Sequence, residues 1–224
     1  GGDGVRLRGG EGGGGGGVGG AGGAGGLCRA RILDTLVVAR GRAGVRCVTH
    51  GPVSAVDAEA GTVAAGDRTY GADMVVLCTG AWIDRLAPGM RGRAVPSRQA
   101  VLYLSPPQDF SPAWENAPVI VTRGAEGGLY IMPPRFGMRL KVGDHRFSRA
   151  GDPDAPWQPT DNDVERIRTL FAASFLRPDD YALLEPKACF YTVTDDESFL
   201  VEPVGKRGYA VSACSGHGFK LAPL

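Results

Sequence analysis

The chain has 224 residues, of which 43% are hydrophobic and 22% charged, and its formal net charge is +1 at pH 7. This length allows one large domain or two small ones, and the balanced charge argues against nucleic-acid partners and anionic membrane surfaces. Five cysteines without a CxxC pair indicate neither a disulfide framework nor a structural zinc site, so we expect no metal. No apolar run approaches the roughly 20 residues that span a bilayer, and we predict a soluble, cytoplasmic protein.

Most of the glycine excess lies in residues 1–26, a low-complexity segment. Glycine has no side chain to bury and loses the most backbone entropy on folding, so we predict a disordered tail. Polyglycine such as Gly12–Gly17 matches G-x-G-x-x-G in several registers. The dinucleotide fingerprint also needs a preceding strand and a following helix, and no strand-like apolar run precedes these glycines. The match therefore does not indicate a phosphate loop.

Residues 27–95 have the pattern of an α/β domain. An apolar stripe predicts a helix over Arg29–Arg42. Runs rich in β-branched residues predict strands over Val45–Thr49 and Val53–Val56, and a hairpin of Thr62–Ala65 with Arg68–Tyr70. The apolar run Met74–Cys78 suits a strand buried on both faces of a parallel sheet. A short helix is expected to follow it, near Trp82–Leu86.

From Pro96 the pattern changes to strands separated by proline and glycine turns, which predicts an antiparallel sheet. The predicted strands are Val101–Leu104, Val119–Thr122, Leu129–Met132 and Met138–Val142. One helix interrupts them, because Thr160 and Asp163 form a capping-box pattern before an apolar stripe that reaches Phe175. Later strands are expected over Cys189–Val193, Phe199–Val201 and Tyr209–Ala213, and the string after them reads as a glycine turn that opens a helix.

Four strings are candidates for chemistry. They are ADMVVLCTGAW (Ala72–Trp82), LYIMPPRFGMRLKVGDH (Leu129–His145), KACFYTVTDDESFLVE (Lys187–Glu202) and SGHGFK (Ser215–Lys220). A glycine such as Gly80, directly after a buried strand, lets backbone approach a ligand closely. In sequence, order and spacing, the strings resemble the monomeric sarcosine oxidase and N-methyl amino acid oxidase family, within the D-amino-acid-oxidase-like flavoproteins. The resemblance runs from about Ala43 to Leu224.

The resemblance implies that FAD is the cofactor and that Cys189 bonds covalently to the 8α carbon of the flavin. Such a bond needs a thiolate close to the dimethylbenzene edge. Without its motif, Cys189 would read as a buried, inert thiol, the common state of free cysteine. The remaining cysteines lack this context and are assigned structural roles: Cys28, Cys47, Cys78 and Cys214.

Lys141 and His145 lie four residues apart, so in a strand their side chains share a face. The resemblance implies that Lys141 promotes reaction of the flavin with oxygen through its fixed positive charge, and that His145 lines the substrate pocket. The alternative is an exposed polar pair on a sheet. Tyr130 and Tyr191 are implied to face the same pocket, although either could equally be a packing aromatic.

Lys220 is implied to bind the substrate carboxylate through a charge-assisted hydrogen bond, where the alternative is a solvated surface lysine. The backbone around it is implied to approach the cofactor. The cofactor-binding residues expected besides Cys189 and Lys220 are Val53, Gly80, Gly216, His217, Gly218 and Phe219.

These observations predict an α/β (α+β) fold with four parts. Residues 1–26 form the glycine-rich tail, 27–95 a partial, Rossmann-like FAD-binding domain, 96–187 an antiparallel substrate domain, and 188–224 a return segment to the FAD-binding domain. In the family, a strand, a G-x-G-x-x-G turn and a helix hold the FAD pyrophosphate. Polyglycine replaces that unit here, and the family's helix after SGHGFK is missing, so the chain reads as truncated at both ends.

The leading functional hypothesis is an FAD-dependent oxidase of a small-molecule secondary or N-methyl amino acid, which yields an imine while O₂ is reduced to H₂O₂. Because the nucleotide-binding unit is replaced, we expect this chain to bind FAD weakly or not at all, and covalent attachment to fail. The alternatives are an inactive fragment with an exposed sheet as an interaction surface, an amine dehydrogenase of the same fold, and a pocket for another nucleotide. The sequence selects neither the individual substrate nor an oligomeric state.

Overall fold

The computed structural model describes residues 18–20, 29–49, 51–123, 127–135, 137–212 and 214–221. Its helices are α1 (Arg29–Arg42), α2 (Ile83–Leu86), α3 (Ser111–Asn116), α4 (Asp161–Ser174) and α5 (Gly218–Leu221). Its strands are β1 (Val18–Gly20), β2 (Val53–Asp57), β3 (Thr62–Ala65), β4 (Arg68–Gly71), β5 (Val75–Leu77), β6 (Val95–Ser105), β7 (Ile120–Thr122), β8 (Leu129–Met132), β9 (Leu140–Asp144), β10 (Ala182–Val193), β11 (Leu200–Pro203) and β12 (Gly208–Ser212). The mixture of helices and antiparallel sheets confirms the predicted fold class.

The elements divide into two compact units. Unit 1 comprises Arg98–Ser148 and Asp154–Cys189, together with β1. Unit 2 lies within Leu27–Ser97, Arg149–Pro153 and Phe190–Leu224. The chain passes from unit 1 to unit 2 inside β10, directly after Cys189.

Unit 1 is built on a six-stranded sheet with the order β1-β7-β8-β9-β6-β10. The pairs from β1 to β6 are antiparallel. In β8, Leu129 and Ile131 are fully buried, whereas Tyr130 and Met132 are only half-buried. Because successive side chains of a strand point to opposite faces, one face of this sheet faces the core and the other is more open.

Helices α3 and α4 supply the core on the buried face. Trp114 of α3 is fully buried, and its ring nitrogen donates a hydrogen bond to the Tyr181 hydroxyl oxygen at 3.0 Å. Ile167 and Phe171 of α4 belong to the same core cluster as Val142 of β9. Aromatic side chains dominate such cores because each removes a large apolar area from water.

The N-terminus of α4 confirms the predicted capping box. Thr160 Oγ1 accepts a hydrogen bond from the Asp163 backbone N–H, and the Asp163 carboxylate accepts one from the Thr160 N–H. Two backbone donors that the helix leaves unpaired are thereby satisfied. The helix therefore begins at Asp161, directly after Thr160.

Unit 2 contains two small sheets. Strands β2, β3 and β4 form an antiparallel meander, which confirms the predicted hairpin. In the second sheet β5 runs parallel to β12, and β11 is antiparallel to β12. The inner face of β5 and β12 packs with the short helix α2, where Leu77, Ile83 and Ala210 are buried.

Much of the apolar surface of unit 2 is exposed. Helix α1 has the predicted bounds, but it contains no buried residue, and Leu36 on its apolar stripe is 57% exposed. On β5, Val76 is 55% exposed. The prediction that this strand is buried on both faces is therefore wrong, because only its α2-facing side is covered.

Several further predictions differ from the structure. Residues 45–49 have no regular secondary structure, because no strand of the described part of the chain pairs with them, so the predicted strand is wrong. Val18–Gly20 forms strand β1 against β7, so the prediction of a disordered tail does not hold for these three residues; the rest of 1–26 lies outside the described residues. Strand β10 starts at Ala182, seven residues before the predicted start at Cys189.

The cysteines other than Cys189 were expected to be structural. Cys47, Cys78 and Cys214 are free and exposed, so a packing role does not hold for them, and Cys28 lies outside the described residues. Among the helices that the structure describes, none is both long and apolar enough to cross a membrane.

Candidate active site

Three predicted site residues meet on the open face of the unit 1 sheet. The Lys141 Nζ atom lies 5.4 Å from the centre of the Tyr130 ring, and the His145 ring centre lies 5.6 Å from it. Lys141 belongs to β9, Tyr130 to the neighbouring strand β8, and His145 directly follows β9. Alternation along β9 places Lys141 and His145 on the same side, and the aromatic face attracts the cation.

A close backbone approach makes this arrangement possible. Tyr130 is the direct cross-strand partner of Gly143. A Cβ atom on Gly143 would lie only 2.5 Å from Cζ and Oη of Tyr130, which is far inside contact distance. The Tyr130 ring therefore occupies the space that any other residue would fill at position 143.

On its opposite face, β9 is held to α4 by ion pairs. Asp144 is buried, and one of its carboxylate oxygens accepts a hydrogen bond from Nε of Arg166 in α4 at 2.7 Å. Arg166 also pairs with Asp163 at 3.1 Å, and Asp163 pairs with Arg98 at 2.9 Å. Pairing of this kind compensates for the cost of burying the carboxylates, and it ties β9 to α4.

These contacts change the acidities of the partners. Burial opposes ionisation of Asp163, but hydrogen bonds from Thr160 and Arg166 and the charge of Arg98 outweigh it and lower the pKa of that carboxyl. Burial likewise opposes the charge of Arg166, but its hydrogen bonds with Asp144 and Asp163 and their charges raise the pKa of the guanidinium. The network therefore favours the ionised form of both partners.

Residues of β6 that were not predicted as site residues share this face. In the observed register Val101 is opposite Gly143, and Tyr103 is opposite Lys141. The guanidinium carbon of Arg139 lies 4.0 Å from the centre of the Tyr103 ring. Alternation along Val101–Leu104 was the available signal, but only the pairing of β6 with β9 reveals which alternate residues join the site.

Cys189 and Tyr191 lie on β10. Both are half-buried, and they fall at the end of unit 1 and the start of unit 2. Within unit 2, Tyr191 approaches Gly216, where a Cβ atom would lie 3.0 Å from Cε2 of the ring. Gly216 has φ +76°, a left-handed conformation that glycine adopts without strain.

The predicted string SGHGFK forms a turn and then helix α5. The Ser215 backbone N–H donates to the Thr192 carbonyl at 2.9 Å, and the His217 N–H donates to the Cys214 carbonyl at 2.7 Å. His217 Nε2 lies 3.6 Å from the Glu197 carboxylate. The remaining predicted residues, Gly218, Phe219 and Lys220, lie in α5, and the side chain of Lys220 lies outside the described part of the chain.

Buried hydroxyls without partners collect where β5 and β12 end. The two strands run parallel with Ala210 opposite Leu77, so the residues that follow them share one edge of the sheet. The hydroxyls of Thr79, Ser212 and Ser215 are buried and have no hydrogen-bond partner within the described ranges. In α/β sheets this carboxyl edge is where ligands bind, and buried polar groups ordinarily have partners.

The other predicted residues of unit 2 lie in two places. Gly80 follows β5 with φ +53° at the edge just described. Val53 begins β2 in the other sheet and is partly exposed. The structure thus brings together Tyr130, Lys141 and His145 in unit 1, and Tyr191 with Gly216 in unit 2.

The sequence profile of the family described as FAD dependent oxidoreductase (DAO) matches residues 8–224. The chain belongs to this family. The predicted family resemblance is therefore confirmed at this level, and FAD is the cofactor that the family name specifies.

Curated relatives agree with this membership. N-methyl-L-tryptophan oxidase from Yersinia pestis (strain Pestoides F) is 31% identical over 197 residues, which cover 85% of this chain and 52% of the relative. The protein of the same name from Yersinia pseudotuberculosis serotype O:1b (strain IP 31758) matches with the same values. The chain thus spans about half the length of the curated relatives it matches.

Solved structures share the fold. Amadoriase I, a fructosyl amine:oxygen oxidoreductase from Aspergillus fumigatus, matches with a TM-score of 0.65 at 22% identity, over 84% of this chain and 47% of that one. A modified fructosyl peptide oxidase from Aspergillus nidulans matches with a TM-score of 0.70 at 23% identity, over 88% of this chain and 52% of that one.

The residues of this family member fit FAD in part. The unpartnered hydroxyls of Thr79, Ser212 and Ser215, and the open space at Gly80, suit a polar ligand at the edge of β5 and β12. By contrast, no G-x-G-x-x-G string lies between a strand and a helix among the described residues. Groups that could hold part of the cofactor are present, whereas the described chain shows no fingerprint for its pyrophosphate.

Proposed function

We propose that this chain is the substrate-facing part of an FAD-dependent oxidase of secondary or N-methyl amino acids. The observation that carries the proposal is the shared position of Lys141 and His145 against the ring of Tyr130. A fixed cation, a titratable imidazole and an aromatic ring on one open sheet face form a set that can orient an amino acid and stabilise developing negative charge. The names of the curated relatives support the N-methyl class.

In this proposal unit 1 is the substrate domain and unit 2 belongs to the cofactor domain. Bound FAD would supply the redox chemistry, in which a hydride leaves the amine and two electrons reach O₂, so that the products would be an imine and H₂O₂. The role of Lys141 is to hold positive charge where oxygen becomes negative. His145 and Tyr130 line the substrate side, and Lys220 pairs with the substrate carboxylate.

Cys189 is proposed as the covalent anchor of the flavin. It is half-buried on β10, two residues before Tyr191, whose ring lies against Gly216. The backbone of Gly216–Phe219, Val53 and Gly80 would contact the cofactor, because glycine permits close approach. Attachment requires that FAD first binds, and we expect this step to be weak because the described residues contain no G-x-G-x-x-G turn between a strand and a helix.

An inactive fragment is the second candidate, and one specific observation favours it. The apolar stripe of α1 and one face of β5 are exposed, with Leu36 at 57% and Val76 at 55%. Exposed apolar patches of this kind mark interaction surfaces or surfaces that lack their cover. A unit 2 without that cover would hold a nucleotide poorly.

Turnover with added FAD separates the two candidates. The purified chain is mixed with increasing FAD and with sarcosine or N-methyl-L-tryptophan, and H₂O₂ is measured by a peroxidase-coupled assay. Glycine and L-tryptophan serve as matched substrates without the N-methyl group. The proposal predicts peroxide that rises with FAD and depends on the N-methyl group, whereas no such peroxide at FAD concentrations that give bound flavin would contradict it.

Retention of flavin by the protein tests the expectation that this chain binds FAD weakly. After incubation with FAD and gel filtration, we expect far less than one flavin per chain, all of it released by acid. A stoichiometric yellow protein would contradict this expectation. Acid-stable flavin that disappears in Cys189→Ser, but persists in Cys78→Ser, would locate the anchor at Cys189.

A further inference from the structure

The Tyr130 ring lies directly over Gly143. The two residues are cross-strand partners on β8 and β9. Atoms Cζ and Oη of the ring both lie 2.5 Å, and Cε1 2.8 Å, from the point that a Cβ atom of Gly143 would occupy. Three ring atoms thus stand where a side chain would begin, so the ring position and the glycine depend on each other.

The same ring contacts the two polar residues that flank Gly143 on its face of the sheet. Lys141 Nζ lies 5.4 Å from the ring centre, and the His145 ring centre lies 5.6 Å from it. Lys141 lies two positions before Gly143 and His145 two positions after it, so all three residues are on the same face of the sheet. Tyr130 therefore lies against both side chains at once.

The backbone beneath this cluster is held from other directions. Asp144, next to Gly143, is bound on the core side by Arg166 at 2.7 Å. The His145 backbone N–H donates to the Gly128 carbonyl at 3.2 Å. The strand is fixed at these points, and the Tyr130 ring is a group that the side chains of Lys141 and His145 share as a neighbour.

The geometry points to Gly143 as a positioning residue: its missing side chain admits the Tyr130 ring, and the ring sets the positions of the Lys141 ammonium group and the His145 imidazole. This inference deepens the proposed function and rests on it, because that function gives Lys141 and His145 their roles. Gly143 touches no reacting atom and acts only through Tyr130.

A purely structural role for the pair makes a different prediction. An aromatic ring over a cross-strand glycine stabilises a sheet by covering exposed backbone. In that case, changing Gly143 would alter the stability of unit 1 but leave Lys141 and His145 where they are. A readout on those two side chains therefore decides between the roles.

The first measurement uses the full chain without cofactor. The chain has three histidines, so the imidazole proton signal of His145 can be assigned by its loss in His145→Gln. In Gly143→Ala we expect that signal to shift, because the Tyr130 ring current at His145 changes, and the acetylation rate of Lys141 by acetic anhydride to change with it. The matched control is Gly71→Ala, a strand glycine whose Cβ atom would meet nothing within 4 Å. Unchanged His145 and Lys141 signals in folded Gly143→Ala would overturn the inference.

A second variant covers the case in which Gly143→Ala does not fold. Tyr130→Leu removes the ring and opens the space for a Cβ atom. It should give the same loss of ring current at His145, and adding Gly143→Ala to it should cause no further change. An additional shift of His145 in the double variant would mean that Gly143 acts independently of Tyr130, which contradicts the inference.

Flavin reoxidation distinguishes this inference from the proposed function. In FAD-loaded protein, Gly143→Ala should slow the reaction of reduced flavin with O₂ by up to roughly 10²-fold, the loss that an error of about 1 Å in a positioned group can cause. A shifted His145 signal with unchanged reoxidation would support the positioning role of Gly143 and Tyr130, but it would overturn the role of Lys141 in the proposed function. Slowed reoxidation without any change at His145 or Lys141 would overturn the inference and leave the function intact.

Discussion

The two units differ in how completely they cover their apolar surface. In unit 1, Ile167 and Phe171 of α4 are 0% and 3% exposed against the sheet, whereas in unit 2 the stripe of α1 is solvent-facing and Leu36 is 57% exposed. A helix in a globular protein ordinarily buries its apolar face. Unit 1 therefore buries the apolar side of its long helix, whereas in the described part of unit 2 most of the apolar stripe of α1 stays exposed.

The largest expected effect follows from the core of unit 1. Trp114→Ala should lower the free energy of unfolding by about 3–5 kcal/mol, because it removes a fully buried ring and leaves a cavity. It also removes the hydrogen bond to Tyr181. Urea-induced unfolding followed by circular dichroism measures the change. Trp157→Ala, at a partly exposed site of the same unit, and Leu36→Ala on α1 are the controls.

These controls test whether the two units differ in how much of their apolar surface is buried. Exposed substitutions ordinarily change stability by less than about 0.5 kcal/mol. If Leu36→Ala cost as much as Trp114→Ala, the stripe of α1 would have to be buried in solution, and the contrast between the units would fail.

A smaller effect is expected from the ion pairs. Arg166→Met leaves the buried Asp144 without its partner and should cost about 3 kcal/mol, since a buried charge is then uncompensated. Arg93→Met breaks the more exposed Arg93–Glu202 pair of unit 2 and should cost much less, because solvent screens the attraction between exposed charges. Thermal unfolding measures the loss of stability in both variants. Comparable losses would contradict the expectation that the buried pair contributes more to stability than the exposed one.

The smallest expected effect concerns acid. The folded pKa of Asp163 lies below its ordinary value of 3.8, so ionised Asp163 stabilises the fold above that pH, and this contribution is lost as the pH falls through the lowered value. Asp163→Asn should cost about 1 kcal/mol near neutral pH, as loss of a helix cap does, and should flatten the acid limb of the stability curve. Thermal midpoints from pH 7 to pH 3 measure this. The exposed Glu165→Gln provides the matched control, and equal acid limbs in the two variants would contradict the assignment.

The sequence predicted elements whose signals are local. The bounds of α1, the hairpin β3–β4 and the capping box of Thr160 and Asp163 follow from short-range rules, and the structure confirms them. The strand predictions were wrong where strand formation depends on pairing with a distant part of the chain. Residues 45–49 have a strand-like composition but pair with no strand among the described residues, whereas Val18–Gly20 forms a strand because β7 lies beside it.

In the candidate site, too, the features that depend on local spacing could be predicted, whereas those that depend on distant contacts could not. Spacing in LKVGDH indicates that Lys141 and His145 share a face, and their contacts with Tyr130 agree with that geometry. The functional roles of these residues stay predictions. The Asp144–Arg166 pair spans 22 positions and joins a strand to a helix, so no local pattern could indicate it. The dependence of Tyr130 on Gly143 likewise arises only from the register of β8 and β9.

The oxygen reactivity of Lys141→Met decides whether the open sheet face of unit 1 serves oxygen and substrate. With FAD and an N-methyl amino acid supplied, H₂O₂ formation is compared with reduction of an artificial electron acceptor, and Lys206→Met, at a largely exposed lysine of unit 2, is the control. We expect Lys141→Met to lose most of its peroxide formation and to keep acceptor reduction, while Lys206→Met keeps both. Undiminished peroxide in Lys141→Met would contradict the assignment of this sheet face to oxygen and substrate.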